Sequence, residues 1–205
     1  AMKRAQTGFT LLELMLVVLL AGILLGIGVP AMGSFIRNAR ITQAANDVMA
    51  GLHFARSEAI KRRVFVTLCS SANTLNADNS ANPNPTCAAS PFLTGWMVFV
   101  DTNQDTQRNA GEQVLLQQEP IATTIIGRAT ANPLRATYLD TGFALNANQT
   151  RIVLCDERGN VNSGGELSAA RGIVISVTGR AGVTRDPGEI QTLINAIGTP
   201  IAGCS

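Results

Sequence analysis

Gly8-Phe9-Thr10-Leu11-Leu12-Glu13-Leu14 is the stretch on which the rest of the chain turns. Ahead of it stand Lys3 and Arg4, the only charges in residues 1–8, and behind it residues 14–36 carry no charge at all. That uncharged run of 23 residues is long enough to cross a hydrocarbon core of ~30 Å at ~1.5 Å rise per helical residue. An ordinary export signal is cut after its apolar core, at small residues. Nothing of that kind follows Val29, so the sequence predicts a cut ahead of the run that leaves the apolar helix on the mature chain.

Glu13 is the exception in this stretch. A carboxylate at the head of a membrane helix is expensive and tends to be functional. Cleavage after Gly8 would place a new α-amino group on Phe9, four residues from Glu13. In an assembly of packed helices, the Glu13 carboxylate is suited to pair with a neighbour's amino terminus.

Beyond Pro30, with Gly22, Gly26 and Gly28 upstream, the pattern changes from wholly apolar to amphipathic. Proline removes a backbone donor and glycine costs about 1 kcal/mol against alanine in a helix, so a kink or local melting is expected there. Ile41, Ala45, Val48, Leu52, Ala55 and Ala59 then form one apolar stripe at helical period. Arg40, Gln43, Asn46, Asp47, Ser57 and Lys61 lie off it. One helix from about Thr10 to Arg63 follows, its second half laid on a globular domain. His53, beside the stripe, reads as a packing or surface residue.

Past Arg63, short apolar runs alternate with turn-rich gaps. The strand candidates are Val64–Cys69, Trp96–Val100, Gln113–Gln118, Ile152–Cys155, Gly172–Val177 and Gly182–Arg185. Thr74–Pro91 and Gly159–Gly165 read as loops, and Pro187–Ile197 as a short helix. Consecutive strands with short gaps suit antiparallel sheets packed on a helix, an α+β fold. Cys69, Cys87, Cys155 and Cys204 lie in no CxxC or Cys/His cluster, and His53 is the only histidine, so zinc and Cys/His nucleophilic chemistry lack partners. Behind an export signal, disulfides are the natural reading. Three pairings exist; Cys69–Cys87 with Cys155–Cys204 is preferred because each bond closes a loop between neighbouring segments, with free thiols as the alternative.

Charge narrows the function classes. The net +2 comes from Lys3 and Arg4, and the chain from Phe9 onward has 14 basic and 14 acidic residues. Residues 37–63 carry +4, whereas from Val64 onward 8 basic and 11 acidic residues give −3. A counterion-release binder of nucleic acid wants a basic globular face, and this one is mildly acidic. No nucleophile motif, framed acid pair or phosphate-cradling loop points to catalysis.

One local motif carries ligand chemistry. Asp101, Asn103, Asp105, Asn109 and Glu112 occupy positions 1, 3, 5, 9 and 12 of an EF-hand-like calcium loop, but Thr106 stands where that loop wants glycine and the flanks read as strands. The competing reading is a polar hairpin turn, which Asn and Asp favour. No cofactor is otherwise expected.

The N-terminal stretch resembles the class III signal of type IV prepilins and pseudopilins. Ala55-Arg56-Ser57-Glu58-Ala59-Ile60-Lys61-Arg62 and Gly95-Trp96-Met97-Val98-Phe99-Val100-Asp101 are similar to signatures of the GspH/FimT/FimU branch of that superfamily. The resemblance covers residues 1–118 well and then mainly Val177-Thr178-Gly179-Arg180. It implies a leader at 1–8, a membrane and filament-core helix at 9–36, and a periplasmic pilin-like domain at 37–205, with amphipathic helix 37–63 and β domain 64–205. A prepilin peptidase would cut after Gly8 and N-methylate Phe9, and Glu13 would serve assembly. The implied function is that of a minor pilin near a filament tip. The alternatives are a minor pseudopilin of type II secretion, or a DNA-binding pilin for natural transformation. Its partners would be major and minor pilins through the N-terminal helix and an inner-membrane assembly platform. It would sit in the inner membrane as a single-pass protein and then in the filament. FimT-type pilins that capture DNA carry a Gly-Arg-x-Arg turn; here the second arginine is displaced, leaving Arg180 and Arg185, with Arg171 nearby, as candidates.

Overall fold

A computed structural model describes residues 10–88, 95–120, 124–129, 134–145, 150–160, 167–198 and 204, apart from the side chains of 27–31. The chain divides into two units at Ala39/Arg40. Helix α1 spans Leu11–Arg62 and so contributes to both. Its assignment is unbroken through Pro30.

In the first unit, α1 opens on Thr10, whose side-chain oxygen accepts the Glu13 backbone N–H at 3.2 Å. Thr10-Leu-Leu-Glu13 therefore has the sequence and half the hydrogen bonding of a capping box, with an acidic side chain in the positive first turn. The apolar side chains that follow are exposed on every side of the helix, from Leu11 at 78% to Leu20 at 50%.

In the second unit the same helix behaves differently. Ile41, Ala45, Val48, Leu52, Ala55 and Ala59 are all buried, as their spacing predicts. They pack on two four-stranded antiparallel sheets. The first has the order β3-β2-β1-β5, from β1 (Val66–Ser70), β2 (Trp96–Val100), β3 (Val114–Gln118) and β5 (Arg135–Tyr138). The second has the order β4-β6-β7-β8, from β4 (Ile126–Ala129), β6 (Arg151–Cys155), β7 (Arg171–Ile175) and β8 (Ala181–Thr184). Strands β4 and β5 have no counterpart among the sequence-predicted strands.

Period-two alternation assigns each strand two jobs. Val66, Leu68, Trp96, Val98, Ile152, Leu154, Ile173 and Ile175 face the helix and form the main core. Their neighbours Cys69, Met97 and Phe99 make a second cluster on the other side of the first sheet. Val153 and Cys155 do the same on the second sheet, under helix α2 (Pro187–Ile197). Both faces are therefore covered, which is why these strands read as unbroken apolar runs. Helix α2 starts at Asp186, whose carboxylate accepts the Glu189 N–H, and stops at Gly198 in the left-handed region.

The disulfides lie on these outer layers, Cys69–Cys87 on the first sheet and Cys155–Cys204 on the second. This is the pairing preferred from sequence. Closing loops of 18 and 49 residues would stabilise the fold by about 3 and about 4 kcal/mol in the chain-entropy model.

Two glycines are needed for contact. A Cβ on Gly51, mid-helix, would lie 2.4 Å from the Trp96 ring, so the indole packs directly against the backbone of α1. A Cβ on Gly172 would lie 2.6 Å from Leu193, where α2 sits on β7.

Candidate functional site

The residues singled out from sequence fall at three separate places. Gly8 and Phe9 lie outside the described residues, while Glu13 is exposed in the first turn of α1. Its side chain is open to a partner.

The second place is the hairpin joining β2 to β3. Val100 donates its N–H to the Gln113 carbonyl at 2.9 Å, which closes the loop. Asp101 is 1% exposed, and its Oδ2 accepts the Thr106 N–H at 2.9 Å and the Thr67 hydroxyl at 3.2 Å. Asp105 accepts the Gln107 N–H at 2.7 Å, and the Asn109 and Asn103 amides donate to it at 2.7 and 3.0 Å. These bonds hold the Asp105 carboxyl below its ordinary range, with the Gln107 N–H the largest influence. Glu112, also buried, accepts the N–H groups of Thr102 and Asn109, both at 2.8 Å. Among the described residues no three His, Cys, Asp or Glu side chains are already gathered for a metal ion. The loop thus has the hydrogen bonding of a polar hairpin. Thr106 adopts the left-handed conformation (φ 63°) for which such a loop ordinarily uses glycine.

The third place is the set of arginines, and here the expectation is corrected. Arg171 is 4% exposed, so it belongs to no surface rim. Its Nη1 donates to the carbonyls of Ser168, Ala169 and Ala170 at 2.9–3.3 Å, and its Nη2 donates to the Thr42 hydroxyl on α1 at 3.0 Å. Burial, then the like charges of Arg185 and Arg158, lower its pKa to about 10. Arg185 is partly buried and donates to the Ser168 carbonyl at 3.3 Å. Arg180 is exposed on the turn before β8. Arg180 and Arg185 flank the two ends of β8, four strand residues apart. The three arginines do not form one basic patch.

Arg56 was given no role from sequence. Its Nε donates to the Gly142 carbonyl and its Nη2 to the Thr178 carbonyl, both at 3.0 Å. One side chain of α1 therefore ties two turns that lie far away in sequence. The turns touch each other so closely that a Cβ on Gly179 would lie 2.0 Å from the Gly142 oxygen. Both glycines hold positive φ, 81° and 76°. Glu58 accepts Lys61 at 3.4 Å and Arg62 at 2.5 Å, and Arg62 also donates to Gln113 at 3.0 Å. The hydrogen bond from Arg62 lowers the Glu58 pKa, so its contribution to stability is present at neutral pH and lost as pH falls through that lowered value. Arg56 thus joins the helix signature to the Thr178-Gly179-Arg180 motif, a link only the tertiary structure shows.

The comparisons with known proteins agree with this architecture. The profile of the family described as Type II transport protein GspH matches residues 44–179, and that of the prokaryotic N-terminal methylation motif matches residues 3–29. The chain belongs to the GspH family, in the GspH/FimT/FimU branch of the type IV pilin superfamily. Its family and fold are those of structural subunits, anchored in a membrane and assembling with other pilins into a filament, and not of enzymes. The crystal structure of the type IV minor pilin FimU from Pseudomonas aeruginosa is similar over 75% of this chain and 94% of FimU, at 17% identity and a TM-score of 0.51. A second crystal form of FimU covers 69% and 90%, at 17% identity and a TM-score of 0.48. At that identity the likeness shows the fold. No curated protein sequence matches the chain.

Proposed function

We propose that this chain is a minor pilin. In this reading it is cut after Gly8, N-methylated on Phe9, held in the inner membrane by residues 9–36 with domain 37–205 in the periplasm, and then built into a type IV pilus near its tip. There it helps to start assembly. The observation that carries the reading is the first half of α1. Behind a methylation motif, its apolar side chains stand exposed on every side. Apolar surface left in water costs ~25 cal/mol per Å², so such a helix needs lipid or neighbouring helices around it. Among the described residues no helix is long and apolar enough to cross a membrane; the span proposed here draws on residue 9 and the side chains of 27–31, outside that set. Glu13, exposed in the first turn, is free to meet the amino terminus of a neighbouring subunit.

The test is to express the full chain in a piliated host with its prepilin peptidase. Mass spectrometry should find a chain starting at N-methylated Phe9, and sheared filaments should contain it. Glu13→Val should abolish incorporation while the membrane fraction keeps the processed protein. A mature chain starting beyond Pro30, or undiminished incorporation of Glu13→Val, would overturn the reading.

The description of the matching family favours a second reading, a minor pseudopilin of a type II secretion system. Deleting the gene separates the two: loss of surface pili supports the first, and loss of protein secretion with pili intact supports the second. A DNA receptor would have to rely mainly on Arg180 of the three arginines proposed for it from sequence, since Arg171 is buried and Arg185 partly so. Duplex binding by the full chain, abolished by Arg180→Gln, would be its signature.

A further inference from the structure

The hairpin loop at 101–112 has one feature that its internal hydrogen bonds leave unexplained. Asp101 is 1% exposed, and its Oδ1 is fully buried with no well-formed hydrogen bond, although the Gln104 N–H also acts on the carboxyl. Leaving one oxygen of a buried carboxylate unsatisfied is costly, and such an atom in a native structure calls for a ligand. The side chain is anchored through its other oxygen, by Thr106 of the loop and Thr67 of β1, and Thr67 is itself fixed by Thr137 at 2.8 Å. Oδ1 is therefore held in place.

A second buried carboxylate, Glu112 at 6% exposure, belongs to the same loop. Two buried carboxylates in one loop repel one another unless a cation or hydrogen bonds compensate them. Among the described residues neither has an ion-pair partner. Arg108 lies near, but its Nη2 points to the Glu112 backbone carbonyl, at 3.5 Å, and to Asn84, at 3.4 Å. Arg135 acts on Asp105 instead. The pair lacks a cation, and Asn103, Asp105 and Asn109 of the same loop supply further oxygen ligands in sequence.

We propose that this loop is a calcium site, with Asp101 Oδ1 as its innermost ligand and Asn103, Asp105, Glu112 and the Gln107 carbonyl completing the shell. The loop already makes the turn such a site needs: Gln104 and Thr106 both lie in the left-handed region, at φ 62° and 63°, and the sixth-position N–H bonds the first-position carboxylate. A mixture of carboxylate, amide and carbonyl oxygens suits calcium, which accepts six to eight flexible ligands, better than magnesium, which demands a near-ideal octahedron and keeps its waters. Binding draws the carboxylates of Asp105 and Glu112 inward, away from the N–H groups they now accept. It should therefore be weak, with Kd about 10⁻⁴–10⁻³ M, the range of extracellular modules. The proposal is independent of whether the filament is a pilus or a pseudopilus.

The test uses the full chain, purified in detergent, stripped with EDTA and titrated with calcium chloride by calorimetry. One saturable site per chain is expected, with magnesium at least tenfold weaker. Asp101→Asn should remove it. Because that buried residue also holds the fold, Asp105→Asn serves as the second variant: Asp105 is exposed, the variant should fold, and calcium affinity should fall at least tenfold. Exposed Asp78→Asn, outside the loop, should bind like the parent. No saturable binding up to 10 mM calcium, or unchanged affinity in a folded Asp105→Asn, would overturn the proposal.

Discussion

Helix α1 carries two surfaces of similar hydrophobicity and opposite fate. Between Leu11 and Leu25 its large apolar side chains are half to four-fifths exposed, whereas Ile41, Val48 and Leu52 are completely buried. Local helix propensity does not separate the halves, since Leu, Ile and Val appear in both. The difference is that the second half has an apolar stripe of one face's width, with two sheets to cover it, while the first half is apolar all round. A helix of the first kind completes a globular core; one of the second kind must find its core in lipid or in other subunits. The comparison explains how one element can serve both a stable domain and an assembly.

The strongest way to break this comparison is to truncate a leucine in each half. Leu52→Ala should destabilise the globular unit by about 2–5 kcal/mol, the range for a buried leucine whose cavity cannot collapse. Leu16→Ala, on the exposed half, should change its stability by no more than about 0.5 kcal/mol. Thermal unfolding of the full chain in detergent checks both. Equal effects would mean that the halves are not energetically distinct.

Removing the tie between α1 and the two turns should have the next largest effect. Arg56→Ala leaves the Gly142 and Thr178 carbonyls without their charged donor and should cost about 1.5–3 kcal/mol. Arg56→Lys, which lacks the planar fork, should recover less than half of that. Urea unfolding followed by tryptophan fluorescence of Trp96 reports the change.

Glycine gives a comparison with opposite signs. Gly51→Ala drives a methyl into the Trp96 ring and should destabilise by about 1–3 kcal/mol, although alanine is the better helix former. A Cβ at Gly22 meets nothing within 4 Å, so Gly22→Ala should stabilise the helix by up to about 1 kcal/mol. Circular dichroism during thermal melting distinguishes the two. The smallest effect is expected just past the end of α1. Arg63 holds φ 56° there, a conformation glycine adopts freely, and Arg63→Gly should raise stability by about 0.5–1 kcal/mol in the same melt.

Much of this fold was legible because its signals are periodic. The stripe from Ile41 to Ala59, the runs at Trp96–Val100 and Ile152–Cys155, and the capped helix at Pro187–Ile197 all encode burial in local spacing. Strands β4 and β5 were not legible. Ile126-Gly-Arg-Ala and Arg135-Ala-Thr-Tyr are short and mix small and charged residues, so neither has an apolar rhythm. β5 exists because Arg135–Tyr138 finds a ladder on β1, some seventy residues earlier, with Cys69 opposite Arg135. That pairing is non-local, and no window of sequence contains it. Arg171 failed for a related reason: it stands just ahead of a sequence-predicted strand, and nothing local shows that the carbonyls of Ser168, Ala169 and Ala170 turn inward around its guanidinium.

The sequence by itself determined the class of this protein. A basic leader, Gly8-Phe9, Glu13 and an uncharged run must coincide for that reading, and each is a local property of consecutive residues. It also determined the core stripe of α1, because helical period is set by the backbone. Only the tertiary structure decided what the charged and turn residues do. It took Arg171 off the surface, made Arg56 the tie between two distant turns, and left one of the two Asp101 oxygens buried without a well-formed hydrogen bond. Those outcomes depend on which carbonyls and carboxylates folding brings within 3 Å, and hydrogen-bond geometry of that kind has no period to read.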